Sequence, residues 1–190
     1  MSISLLQLWM PIVLGTFIAW MTSGLIHMVI KYHNSDYHGL TNEDEVMDAV
    51  GKGSPTLGIH TFPYCIEMDE MKDEAVQQRF KNGPVGIVTI FPNGLPNMGK
   101  LMVQQISFFL VGCVLIAYCA TLALEPGAQY MVVFRFVATV GFLAFGWGVI
   151  PYSIWFGHTW SMTAKYLLDA LIYGLVVAGS FSWLWPAAVD

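Results

Sequence analysis

Three of the chain's five histidines, His27, His33 and His38, fall within the twelve residues HMVIKYHNSDYH, directly after an unbroken apolar run. Imidazole beside carboxylate is the chemistry of metal coordination and of proton transfer, so two constellations are candidates. If the preceding helix continued through His38, His27 and His38 would share a face but lie about 16 Å apart along it. A chelate therefore requires the helix to stop, and NSDYHG, with Asn34, Ser35, Asp36 and Gly39, is a stopping sequence. His33, Asp36 and His38 then stand in a loop at H-x-x-D-x-H spacing, with the distant His60 as a fourth ligand for zinc or copper. The competing explanation is that these polar side chains cap the helix and meet lipid headgroups.

The second constellation is a matter of depth. His27 lies one turn before Lys31, and Asp169 one turn after Lys165, so both sit just inside the membrane on one side. Gln104 and Gln105 open another span there, and His158 is in a connection on that side. An ionisable group in hydrocarbon is costly and normally finds a partner, which makes His27 and Asp169 an expected intramembrane pair. An interhelical hydrogen bond serving only as glue is the plainer account of the same pair.

Composition sets these residues in a membrane. Of 190 residues, 56% are hydrophobic and 11% charged, against about 25% charged in a soluble domain. The mean hydropathy is +0.59. A net charge of -5 and the lack of a basic stripe argue against nucleic acid as a partner. Four runs are long enough to cross a hydrocarbon core of roughly 30 Å: Leu5–Ile30, Leu101–Leu124, Met131–Ile150 and Leu167–Leu184. The first begins without Lys or Arg and is too long for a signal-peptide core, so it reads as an uncleaved span. EPGAQY makes a tight hairpin of the second and third spans. Trp9, Tyr32, Tyr130, Tyr152, Trp155, Trp160, Tyr166, Trp183 and Trp185 punctuate the span ends as an interfacial belt.

The expected fold is thus an all-α membrane protein: one membrane domain over residues 1–190, four transmembrane helices, and a roughly seventy-residue α+β loop (31–100) between the first two. In that loop a helix is expected over NEDEVMDAV, another from Glu67 to Lys81, and a strand over Val85–Phe91. The loop has too few large apolar side chains to fold on its own core. Its acidic groups, Glu43 to Asp48 and Glu67 to Glu74, lack calcium-loop spacing and read as solvated helix faces. It carries no phosphate-binding glycine motif, nucleophile elbow or H-E-x-x-H pair. The three cysteines, Cys65, Cys113 and Cys119, announce neither a disulfide framework nor a metal site.

Small residues recur every fourth position as Gly15, Ala19 and Ser23 in the first span, and as Ala170, Gly174, Ala178 and Ser182 in the fourth. Such rows let helix backbones approach closely, so the first and fourth spans are expected to touch along them. Seven Lys and Arg residues flank the loop side and only Arg135 the other. The positive-inside rule then puts the loop in the cytoplasm and both termini outside.

The stretches LIHMVIKYHNSDY, NEDEV, GSP, GPVG and DALIYGLVVAGSFSWLWP resemble those of a family of uncharacterised bacterial integral membrane proteins. That resemblance implies a bacterial inner membrane and carries no activity or cofactor. Two functions follow from the residues: a non-catalytic accessory subunit of a larger membrane complex or homo-oligomer, or a protein using its loop-side histidines for a metal ion, a haem or a proton.

Overall fold

The computed structural model describes residues 3–188. It is 69% helical, with a small two-stranded sheet. Four helical segments are long and apolar enough to cross a membrane: Leu5–Ile30, Met98–Ala123, Tyr130–Trp155 and Trp160–Trp183. The chain is a polytopic membrane protein whose apolar helices face lipid. The chain divides into two compact units, His38–Leu95 and the remainder, where the sequence alone reads one membrane domain with a loop.

In the membrane unit, α1 (Trp9–Gly24) is followed by one π-helical stretch, Leu25–Ile30, and the helix ends at Lys31. Lys31 adopts φ 57°, ψ 25°, a left-handed conformation uncommon for a residue with a Cβ. Its N–H bonds the Ile26 carbonyl at 2.8 Å, and the chain turns into a short 3-10 helix, Tyr32–Asp36. The helix therefore stops before NSDYHG rather than within it. This early stop folds the 3-10 turn back onto the membrane helices.

α4 (Met98–Ala123) starts at an Asn97 cap that accepts from Lys100 N at 3.0 Å, and α5 (Tyr130–Gly146) follows the short hairpin. The hairpin is tied to the end of the chain by Gly127 N–H to the Pro186 carbonyl at 2.8 Å. The third span is longer than its apolar run, breaking at Gly146 into a 3-10 turn, Trp147–Val149, then resuming as α6 (Ile150–Trp155), with Pro151 in its first turn where a missing N–H costs nothing. The fourth span, α7 (Trp160–Trp183), begins seven residues earlier than the run at Leu167, because Thr159 caps it by accepting from Met162 N at 3.2 Å.

α7 lies between α5 and α1, and α1 also packs on α4. The core holds Phe109, Ile116, Val133, Val137, Val177 and Phe181, all fully buried. The glycines of the two small-residue rows have different neighbours. Gly15 lies against Val177, Phe181 and Cys113, whereas Gly174 is pressed into α5. A Cβ on Gly174 would come within 2.9 Å of both the Ala138 carbonyl and Phe142 N, and one on Gly141 within 2.9 Å of Gly174 Cα. Ala170 likewise fills the space over Gly146. The first and fourth spans touch at Gly15, while Ala170 and Gly174 of the fourth pack against the third.

The second unit contains α2 (Glu43–Lys52), β1 (Gly58–Phe62), α3 (Glu74–Asn82) and β2 (Gly86–Ile90). The strands pair antiparallel, with Gly58 opposite Ile90 and Phe62 opposite Gly86. The sequence reading contains β2 but not β1, whose five residues GIHTF are too short and polar to declare a strand. The helix expected from Glu67 is split into a 3-10 turn at Glu70–Lys72 and α3, since Asp73 leaves helical geometry to cap α3 by accepting from Ala75 N at 2.8 Å. No residue between His38 and Leu95 is buried.

Candidate functional site

The buried polar groups converge at the end of the bundle where the first span exits. Asp169 of α7 is the centre. Its Oδ2 lies 2.9 Å from His33 Nε2 and 3.8 Å from His27 Nε2, and its Oδ1 accepts from the Tyr32 hydroxyl. The side chains of Asp169 and His33 are 3% and 7% exposed, that of His27 41%. The two imidazoles stack in parallel, with centroids 4.9 Å apart and 4° between planes. Around them, Lys165 Nζ bonds Asp36 Oδ1 at 2.6 Å, Ser35 Oγ at 2.7 Å and the Tyr32 carbonyl at 3.0 Å.

Local structure explains the convergence. The π turn and the left-handed Lys31 carry His33 back over His27, while Lys165, one turn before Asp169, anchors the 3-10 turn from below. Proton bookkeeping then exposes a deficit. His27 Nδ1 lies 3.0 Å from the Ser23 carbonyl, which can only accept, so the ring proton belongs on Nδ1 and a neutral His27 turns a bare Nε2 toward the Asp169 carboxylate. His33 Nδ1 sits 3.4 Å from Asp36 Oδ2, and both atoms are buried without a hydrogen-bond partner. With Asp36 and Asp169 both ionised, a neutral His33 opposes a lone pair to a carboxylate at one ring nitrogen or the other. Burial first, then the neighbouring His27, lower the pKa of His33, which opposes relief by protonation. The Lys165 ammonium, through its hydrogen bond, lowers the pKa of Asp36 and keeps it a carboxylate.

His27, His33 and Asp169 each offer an atom within 4.8 Å of the other two. A tetrahedral ion with bonds of about 2.0–2.1 Å sets its ligand atoms ~3.3 Å apart, and the observed separations of 2.9 and 3.8 Å bracket that edge. Histidine ligands normally give their other ring nitrogen to a carbonyl or carboxylate, the place of Ser23 O for His27 and of Asp36 for His33.

Of the residues singled out from sequence, His27 and Asp169 are brought together. His33 joins them and keeps Asp36 beside it. His38 and His60 belong to the other unit, where His60 Nε2 lies 2.8 Å from the Thr56 carbonyl. His158 stacks on Tyr152 instead. Tyr32 and Lys165 take part although the sequence reading assigns them to the aromatic belt and to orientation. The signal for Lys165 was its i, i+4 spacing to Asp169.

Fold and site together define a four-span membrane protein with a two-histidine, one-carboxylate cluster at one end, His33 and Asp169 buried and His27 part-exposed. Compared with family models, curated proteins and solved structures, the chain matches none.

Proposed function

We propose that this polytopic membrane protein holds one divalent transition metal, zinc foremost, on His27, His33 and Asp169. The observation that supports the reading best is the set of lone pairs facing one another around Asp169, which a cation satisfies together. Two imidazoles and a carboxylate suit zinc, in a set that leaves a coordination position open for chemistry. As stacked, the two imidazoles hold their lone pairs in parallel planes, so closing on one ion requires one of the rings to turn toward Asp169. With the loop-side lysines taken as cytoplasmic, the centre lies near the inner face of a bacterial inner membrane.

A second reading, an accessory subunit of a larger membrane complex, is favoured by the unit His38–Leu95. It has no buried residue, yet exposes Leu57, Ile66, Met68, Phe91 and Leu95, each by more than 60%. Such a surface fits cover by another subunit or a second copy. The two readings are compatible: a metal-holding subunit can work inside an assembly.

Metal analysis of detergent-purified protein tests the first reading. Stoichiometric zinc in the native chain, its loss in His33→Ala and its retention in His60→Ala are expected. Native protein purified without stoichiometric metal, and unable to take it up from added zinc, would reject it. Native gels that identify a co-migrating chain test the second.

A further inference from the structure

The buried arrangement of the cluster leaves one approach to it. Asp169 and His33 are nearly sealed, and only His27 has a substantially exposed side chain. The exposed side of His27 lines a cleft of about 580 Å³ between the first span and the start of α4, with Trp20, Met21, Gly24, Met102 and Gln105 among its other walls. Every residue of that wall belongs to a segment long and apolar enough to span a membrane, which makes the surrounding lipid the natural source of an entrant. The volume is in the range of small-ligand pockets, roughly 300–1,000 Å³.

The wall chemistry narrows the entrant. It is apolar and rich in methionine, which adapts its shape to flexible chains. Its polar side chains are Ser23, His27 and Gln105, and it contains no Lys, Arg, Asp or Glu. An anionic or cationic headgroup would find no counter-charge there, and burying it unpaired is expensive. A neutral head bearing carbonyl or hydroxyl oxygen would meet the Gln105 amide and the His27 edge, with its tail along Trp20, Met21 and Met102.

We infer that this cleft is a lateral binding site for a membrane amphiphile with an uncharged, oxygen-bearing head, delivered to the side of the proposed metal centre. The inference rests on the metal reading only for what lies behind His27; the cleft stands by itself. A diacylglycerol, with ester carbonyls and one hydroxyl on an uncharged head, has the required chemistry.

The test uses the full chain in phosphatidylcholine nanodiscs with a diazirine-tagged diacylglycerol, and labelled peptides are mapped by mass spectrometry. Saturable labelling of the segments holding Trp20, Met21 and Met102 is expected. Unlabelled diacylglycerol should compete and phosphatidic acid should compete poorly; displacement by a short-chain prenylated benzoquinone but not by diacylglycerol would overturn the assignment. Gln105→Leu should weaken labelling about tenfold, the scale of one hydrogen bond to the head. Gly24→Leu should abolish it, since a Cβ at Gly24 meets no atom within 4 Å and the larger side chain grows into the cleft. Both variants should elute from size-exclusion chromatography as the native chain does, which reports that they are folded. Labelling that never saturates, or that phosphatidic acid displaces equally well, would mean that bulk lipid fills the cleft, and overturns the inference whatever the zinc content. Saturable labelling of a chain that binds no zinc would uphold the cleft and remove the metal.

Discussion

Asp169 and Ala170 are consecutive residues of α7, about 100° apart around the helix, and the two faces they mark are held by different physics. On the Ala170 face, Gly174 and Gly141 bring α7 and α5 to backbone contact, and shape alone makes the join. On the Asp169 face the join is made by charge: a carboxylate, two imidazoles, a phenol and, one turn away, an ammonium. In lipid the first kind of contact is a permanent seam, because packing drives helix association there. The second kind is costly unless its members are satisfied, and so it responds to whatever ion or proton satisfies them. The difference separates the part of the helix that builds the bundle from the part that carries the proposed metal site.

The largest effect is expected where the seam is broken. Gly174→Val must push aside two backbone atoms, and overpacking without room to relax costs about 3 kcal/mol or more. Aggregated or unfolded material in size-exclusion chromatography is the expected outcome; a well-folded monodisperse variant would show that the seam is looser than it looks. Next comes Asp169→Asn, which keeps size and shape but removes the negative charge from the ion's ligand set. The bundle should remain folded while zinc is lost, and a variant that loses its fold instead would erase the distinction between the two faces. Asp36→Asn is expected to do less. It leaves all three ligands and should lower zinc affinity by roughly 10–100-fold, measurable by competition with a chromophoric chelator. The smallest effect belongs to His60→Ala, whose ring bonds only a carbonyl in the other unit; neither zinc content nor stability should move by more than about 0.5 kcal/mol.

Chelation sharpens the contrast further. Stripping zinc from a site held at a hundred times its Kd should remove about 2.7 kcal/mol of apparent stability from the native protein. Asp169→Asn should show no such shift.

Much of the architecture is legible from sequence, because a span writes itself as some twenty apolar residues in a row. The ends are less so, since they depend on caps: Thr159 starts α7 well before its apolar run, and Gly146 with Pro151 lets the third span continue past Ile150. The depth of His27 and Asp169 could be read from Lys31 and Lys165. The recruitment of His33 could not, because it hangs on a π turn and on a left-handed Lys31, and lysine is not a residue that announces that conformation. Small-residue rows state that a helix is approached closely but not by which neighbour, and at Ala170 and Gly174 that neighbour is the third span. In the extramembrane unit, β1 is defined by its partner β2 rather than by its own five residues.

The central claim is that His27, His33 and Asp169 form one coordination sphere. X-ray absorption at the zinc edge of the purified, zinc-loaded protein measures that sphere directly. The expected spectrum has a first shell of nitrogen and oxygen at about 2.0–2.1 Å with the outer-shell scattering of two imidazoles. In His33→Ala the imidazole scattering should fall or the zinc should be lost. A sulfur shell near about 2.3 Å, or a spectrum unchanged in His33→Ala, would contradict the account.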